Sequence, residues 1–180
     1  HMGESLQKTG IIQNHPAFVS GASLFLMTII AAVAYFNQII ELFFGIIILD
    51  FIVSVSIYFF FREKSPQLAL WSGASRAIYT ILLLVIVILN FNDWQNFDES
   101  FSLILGVFGL HLLIQAWIFW ELKTLNYVMA CLIFVSGIGY MFDSMLIIFE
   151  WTEISPIAEF TFLGEIVMIF WFLVVAFSRD

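Results

Sequence analysis

A chain of 180 residues that is 62% hydrophobic, 18% aromatic and only 11% charged cannot bury its apolar surface as a water-soluble fold, and a mean hydropathy of +1.03 marks it as an integral membrane protein. Almost no chain remains for a soluble domain. The formal net charge of −8 reads as a solvated acidic face, and no nucleic acid is an expected partner.

Six stretches are long enough to cross roughly 30 Å of hydrocarbon at about 1.5 Å per residue. Residues 1–15 read as an N-terminal tail whose His1-Met2 is a cloning scar, which leaves His15 and His111 as native histidines. Residues 16–180 read as a single all-α domain. Asn14-His15-Pro16 opens the first span, about 16–36. Its seam of Ala17, Gly21, Thr28 and Ala32 suits small-residue helix packing. No small-residue cleavage site follows that span, so it reads as a retained helix rather than a removed signal peptide.

Phe36-Asn37-Gln38 makes a tight turn into span two, about 38–61, where Asp50, Ser54 and Tyr58 share a helical stripe. Ser65-Pro66 starts span three, about 67–91, because serine before proline is a natural helix N-terminus. Ser72, Arg76 and Tyr79 form its stripe. Span four, about 100–120, aligns His111 with Gln115. Span five, about 125–149, aligns Ser136, Tyr140, Asp143 and Ser144, and its Gly137 and Gly139 read as close helix packing. Cys131, the lone cysteine, permits no internal disulfide and reads as a small packing residue. Ser155-Pro156 starts span six, about 157–178, with Thr161, Glu165 and Met168 on one face. Short connections imply antiparallel neighbours, so the expected fold is an up-and-down membrane bundle of six transmembrane helices.

Charge supplies an orientation. Lys8, Arg62, Lys64, Lys123 and Arg179 fall at the N-terminus, the second and fourth connections and the C-terminus. The positive-inside rule therefore places both termini in the cytoplasm. The other connections carry Asp93, Asp98, Glu99, Glu150 and Glu153 without a base, which suits the outer side of a bacterial inner membrane. Trp94, Trp120 and Trp151 fall at expected interfaces. The likeness of Phe60-Phe61-Arg62-Glu63-Lys64-Ser65 to Phe119-Trp120-Glu121-Leu122-Lys123-Thr124 is explained by positive-inside turns rather than by a duplicated hairpin.

Arg76 is the most informative residue, because an ionisable side chain in a bilayer core is costly and marks a site or a pair. Counting along each helix places Asp50 near the middle of span two, Arg76 roughly 15 Å into span three, His111 roughly 16 Å into span four and Glu165 roughly 13 Å into span six. Asp143 lies nearer the outer surface, one turn beyond Tyr140. Asp50, Arg76, His111, Gln115, Tyr140, Asp143 and Glu165 are the candidate polar cluster or ligand-binding residues. Three carboxylates face one arginine. At least one of them must be protonated, hydrogen-bonded by His111 or a tyrosine, or matched by a bound cation. The counter-ion expected for Arg76 is Glu165, Asp50 or both.

The absences narrow the chemistry. There is no intramembrane lysine for a retinal Schiff base, and a single intramembrane histidine argues against bis-histidine haem and against a zinc site, for which His111, Asp50 and Glu165 are the remaining alternative set. No Walker motif, GxGxxG, CxxC or GxSxG is present. No metal and no cofactor are expected, and no catalytic residue is assigned.

From Ala69 to the C-terminus the chain resembles a bacterial membrane family catalogued as a domain of unknown function, number 4386. The resemblance rests on Ala69-Leu70-Trp71-Ser72-Gly73-Ala74-Ser75-Arg76, His111, Gly137-Ile138-Gly139-Tyr140-Met141-Phe142-Asp143-Ser144, and Leu163-Gly164-Glu165 with Trp171. The chain departs from that family in its short outer connections and in lacking proline around Lys123. The resemblance implies a membrane fold of six or seven spans and supplies no activity.

The residues themselves point to a cavity at mid-depth that binds a small amphipathic or cationic ligand, as a carrier or sensor, with Phe142, Phe162, Trp117 and Trp171 as aromatic walls. The expected partners are membrane lipid and that small molecule. Two alternatives stand beside it. One is an intramembrane enzyme acting on a lipid or isoprenoid headgroup, with His111 and Glu165 or Asp143 as acid and base and Arg76 holding an anion. The other is a structural membrane subunit.

Overall fold

The computed structural model describes residues 2–122, 126–151, 155–157 and 162–178, with side chains described from His15 onward and, in the fifth helix, from Tyr127. Lys123, Thr124, Glu153, Thr161 and Arg179 lie outside the described residues, as do the side chains of Lys8 and Asn14. Six α-helices account for nearly all of the described chain, and no strand occurs among the described residues: α1 Met2–Phe36, α2 Leu42–Phe61, α3 Pro66–Leu89, α4 Trp94–Glu121, α5 Asn126–Ile148 and α6 Leu163–Phe177. Five of them contain apolar stretches long enough to cross a membrane, from His15–Phe36 in α1 to Tyr127–Ile148 in α5. The sixth is a shorter apolar helix of 15 residues, which covers roughly 22 Å.

Three helix starts differ from the expectation. The apolar span begins at His15 as expected, but the helix itself extends upstream, so Pro16 lies within α1, where the missing N–H forfeits one ladder hydrogen bond. Ser155-Pro156 is not a helix start, since 155–157 are non-helical and α6 begins at Leu163. α4 begins at Trp94, several residues early, because the Asp93 carboxylate accepts the backbone N–H of Asn96 at 3.1 Å and its side-chain amide at 2.6 Å. The Ser65-Pro66 start of α3 stands as read, with the proline in the first turn. At the first turn Gln38 takes φ 56, and Ile39 N–H donates to the Ala34 carbonyl at 2.8 Å, closing the end of α1.

Each helix packs on its sequence neighbour, and α6 packs on α1, so the six close into a ring. A close seam joins α4 to α5. A Cβ at Gly109 would lie 2.6 Å from the Gly137 carbonyl oxygen, and one at Gly137 would lie 2.8 Å from that of Gly109. Only glycine lets the two backbones meet there, as membrane helices do where packing and backbone approach replace the hydrophobic drive. Gly164 plays the same part for α6, where an added Cβ would strike the Leu132 carbonyl and the Ser136 hydroxyl.

The outer surface is apolar, with Trp71, Ile88, Trp117, Val128 and Phe170 all more than half exposed, as lipid requires. Aromatic side chains close both ends of the interior. Phe60, Phe61, Phe119, Trp171 and Phe172 interlock edge to face at one end, with centroids 4.7 to 6.2 Å apart. Phe43, Trp94, Phe97 and Phe101 cluster at the other. Side-chain bonds tie the matching connections together: Tyr35 donates to Asp98 at 2.9 Å at the acidic end, and Ser65 donates to Glu121 at 3.3 Å at the end that carries Arg62 and Lys64.

Candidate functional site

Arg76 is the largest fully buried side chain among the described residues, at 0% exposure. Its Nε donates to Asp50 Oδ1 at 2.7 Å, and Nη2 comes within 2.5 Å of the same oxygen without the alignment of a hydrogen bond. Asp50, on α2, is 1% exposed. Thr80, one turn beyond Arg76, donates to Asp50 Oδ2 and also reaches the Arg76 carbonyl oxygen at 2.9 Å. Both carboxylate oxygens are therefore engaged, which a buried ion pair needs if its attraction is to offset desolvation.

The arginine's other face meets α4. His111 Nδ1 lies 2.9 Å from the Ser72 carbonyl oxygen, which can only accept, so Nδ1 carries the proton. The lone pair of Nε2 then accepts from Arg76 Nη1 at 3.3 Å. Ser72 Oγ donates to Gln115 Oε1 at 2.6 Å. Phe108 places its ring 5.3 Å from the guanidinium carbon, a cation–π contact that strengthens as water is excluded. The Gln115 Nε2 has no hydrogen-bond partner among the described residues. Asp50, Arg76, His111 and Gln115 thus form one network across α2, α3 and α4.

Tyr140 and Glu165 form a second pair across α5 and α6, the tyrosine hydroxyl donating to Glu165 Oε1 at 2.5 Å. Glu165 stands in the first turn of α6, where the helix dipole favours a carboxylate. It forms no ion pair with Arg76, and the counter-ion of the arginine is Asp50 alone among the described residues. Asp143 stands one turn beyond Tyr140 on α5. Its Oδ1 accepts the backbone N–H of Ile157 at 2.8 Å, and it lines a separate recess with Glu99 and Glu150.

Between the two groups lies a partly enclosed cavity of about 220 Å³. Every helix contributes to its wall, with Thr28, Asp50, Tyr79, Phe108, Tyr140 and Glu165 coming from α1 to α6 in order. The rest of the lining is largely apolar, including Phe43, Phe101 and Ile169. Arg76, His111 and Gln115 stand behind this wall rather than in it. Of the four aromatics expected as walls only Phe162 lines the cavity. Trp117 is 63% exposed on the outer face, Trp171 belongs to the aromatic end cluster, and Phe142 does not line the cavity.

Thr80 and Phe108 carry the network and were not singled out from sequence. Thr80 was accessible to the i, i+4 rule that joined Ser72 to Arg76, whereas Phe108 is one of 22 phenylalanines and carries no pattern that marks it.

Comparison with known proteins names no activity. Residues 84–176 match the family model described as Domain of unknown function (DUF4386). That match covers Tyr140, Asp143, Glu165 and His111 but stops short of Arg76 and Asp50. An uncharacterized protein of Archaeoglobus fulgidus is 27% identical over 131 residues, covering 73% of this chain and 79% of that protein. No solved structure matches.

Proposed function

Because the chain belongs to the family of the domain of unknown function DUF4386, whose description assigns no activity, we propose a function from the site itself: a polytopic membrane protein that binds a small amphipathic cation in its central cavity, as a carrier or sensor. The observation that carries the reading is a charge count within one wall. Two carboxylates line the cavity, Asp50 and Glu165, and among the described residues Arg76 forms an ion pair only with the first. Glu165 holds a tyrosine hydroxyl and no cation among the described residues. A ligand with one positive charge completes that account, and the rings of Tyr79, Phe108 and Tyr140 suit an alkyl- or quaternary ammonium group. The apolar remainder of the wall takes its tail.

The enzymatic alternative draws less support. His111 does not line the cavity, and the guanidinium of Arg76 is held by Asp50 and His111 rather than open to a substrate anion. The purified protein is tested with three probes that share one alkyl tail: an ammonium, an alcohol and a carboxylate. Thermal stabilisation is expected from the ammonium alone, by RT ln(1 + [L]/Kd), about 2.7 kcal/mol at a hundredfold excess over Kd. Glu165→Gln is expected to abolish it. Equal responses to all three probes, or an unchanged response in Glu165→Gln, overturn the reading.

Orientation belongs to the same proposal. The end bearing Arg62 and Lys64 faces the cytoplasm of a bacterial inner membrane, and the end bearing Asp98 and Glu99 faces outward. Labelling of Lys64→Cys by a membrane-impermeant thiol reagent in intact cells would reverse it.

A further inference from the structure

On the outside of the ring, α1 and α2 leave a groove of about 520 Å³ walled by Val19, Phe51, Ile52, Val55 and Phe59, with His15 at its rim. It shares no lining residue with the central cavity. Ser56 also lines the groove, but its hydroxyl is engaged, donating to the Pro16 carbonyl at 2.7 Å. That bond fixes the register of two antiparallel helices, so His15 and Phe59 lie toward the same end of the groove. Arg62 stands there too. Its guanidinium is drawn back over the Phe59 ring, 4.6 Å from the centroid, and so sits against the groove wall. Arg62 has no salt bridge among the described residues, and Glu63 beside it makes an interaction of its own.

An apolar trough ending in a histidine and in an arginine that has no counter-ion among the described residues matches a molecule with a long hydrocarbon chain and one anionic head. We propose that the groove holds an acyl chain of an anionic phospholipid, whose phosphate is bound by Arg62 with His15 beside it. Arginine suits that task because its planar fork meets phosphate oxygens bidentately while its face remains stacked on an aromatic ring. A membrane of mixed composition supplies many chains that fill the trough, and the basic end selects among their headgroups.

The test uses the full chain in mild detergent, titrated with phosphatidylglycerol or with phosphatidylcholine of identical acyl chains, with retained lipid read by native mass spectrometry. One phosphatidylglycerol is expected to be held in several-fold preference to phosphatidylcholine. Arg62→Gln is expected to reduce that preference about fivefold, the weight of one basic residue near an anionic lipid surface, and Arg62→Lys to restore part of it. Val55→Trp, which fills the trough, is expected to reduce retention of both lipids. Equal retention of the two lipids by the unaltered protein overturns the proposal, as does a preference that survives Arg62→Gln. If Val55→Trp converts a dimer to monomer and leaves lipid retention untouched, the groove is an interface between copies of this chain and the proposal falls. The central cavity plays no part in these readouts.

Discussion

The α2–α3–α4 side of the interior and the α5–α6 side both hold a carboxylate at depth, yet they treat it differently. Asp50 meets an arginine and a threonine, and the arginine in turn meets a histidine that is itself anchored on a backbone carbonyl. Glu165 meets one tyrosine and a cavity. The first side is a closed network in which removing a member strands another, because a buried charge without its partner costs far more than the pair contributes. The second is open on one flank and has room for something else. A stapled half beside an open half is what a binding protein needs: rigidity to hold the ring together and an incomplete wall to receive a ligand.

Breaking the closed side should give the largest effect. Arg76→Met leaves Asp50 buried and uncompensated, at a cost of about 3–5 kcal/mol, read as a lowered Tm in detergent. Asp50→Asn added to it should recover part of the loss, whereas Glu165→Gln added to it should be additive, since Glu165 makes no ion pair with the arginine. Coupling of Arg76 to Glu165 that equals its coupling to Asp50 would erase the distinction between the two sides.

The seam that joins them comes next. Alanine at Gly109 gains about 1 kcal/mol of helix propensity, but overpacking costs about 1–3 kcal/mol. The atom it meets at 2.6 Å is a backbone carbonyl oxygen, which cannot swing aside as a side chain does. Gly109→Ala is therefore expected to lower Tm. Gly45→Ala is the control, because its Cβ would meet only the tip of Ile30 at 3.9 Å, and it should be neutral or stabilising. A stabilising Gly109→Ala would show that α4 and α5 do not approach so closely.

On the open side, Glu165→Gln should shift stability by less than about 1 kcal/mol, since an amide still accepts from Tyr140 and no cation is stranded. The same substitution removes the charge that the proposed ligand needs. A large loss of stability would mean that Glu165 is part of the closed network after all.

Sequence reading reached the helices and the depth of the polar residues because both follow from counting apolar residues and turns. Ser65-Pro66 marks the start of α3, whereas the upstream extension of α1 and the starts of α4 and α6 carry no such mark, because proline is tolerated within a helix and a capping aspartate can extend one beyond its apolar core. The level of Arg76 left Asp50 and Glu165 as equal candidates for its counter-ion, since depth says nothing of angular position around a ring. Thr80 could have separated them: it shares the arginine's face, and its hydroxyl completes the Asp50 carboxylate. The cavity itself was not legible in detail, because Phe108 and Phe101 look like any lipid-facing phenylalanine until the ring closes around them.

The smallest effect tests the limits of the closed network. Gln115 accepts from Ser72 through its oxygen, while its buried Nε2 finds no partner among the described residues. Gln115→Met removes an unsatisfied donor together with one hydrogen bond, and these contributions oppose each other at about 1 kcal/mol each. The net change in Tm should therefore be near zero. Ser72→Ala is not equivalent, because it leaves both ends of the Gln115 amide buried without a partner, at a cost of about 1–3 kcal/mol. Replacing both residues should be less harmful than Ser72→Ala alone, since the stranded amide is gone. If Gln115→Met proves as damaging as Ser72→Ala, the amide nitrogen has a partner, and Gln115 belongs to the closed network at both ends rather than at its edge.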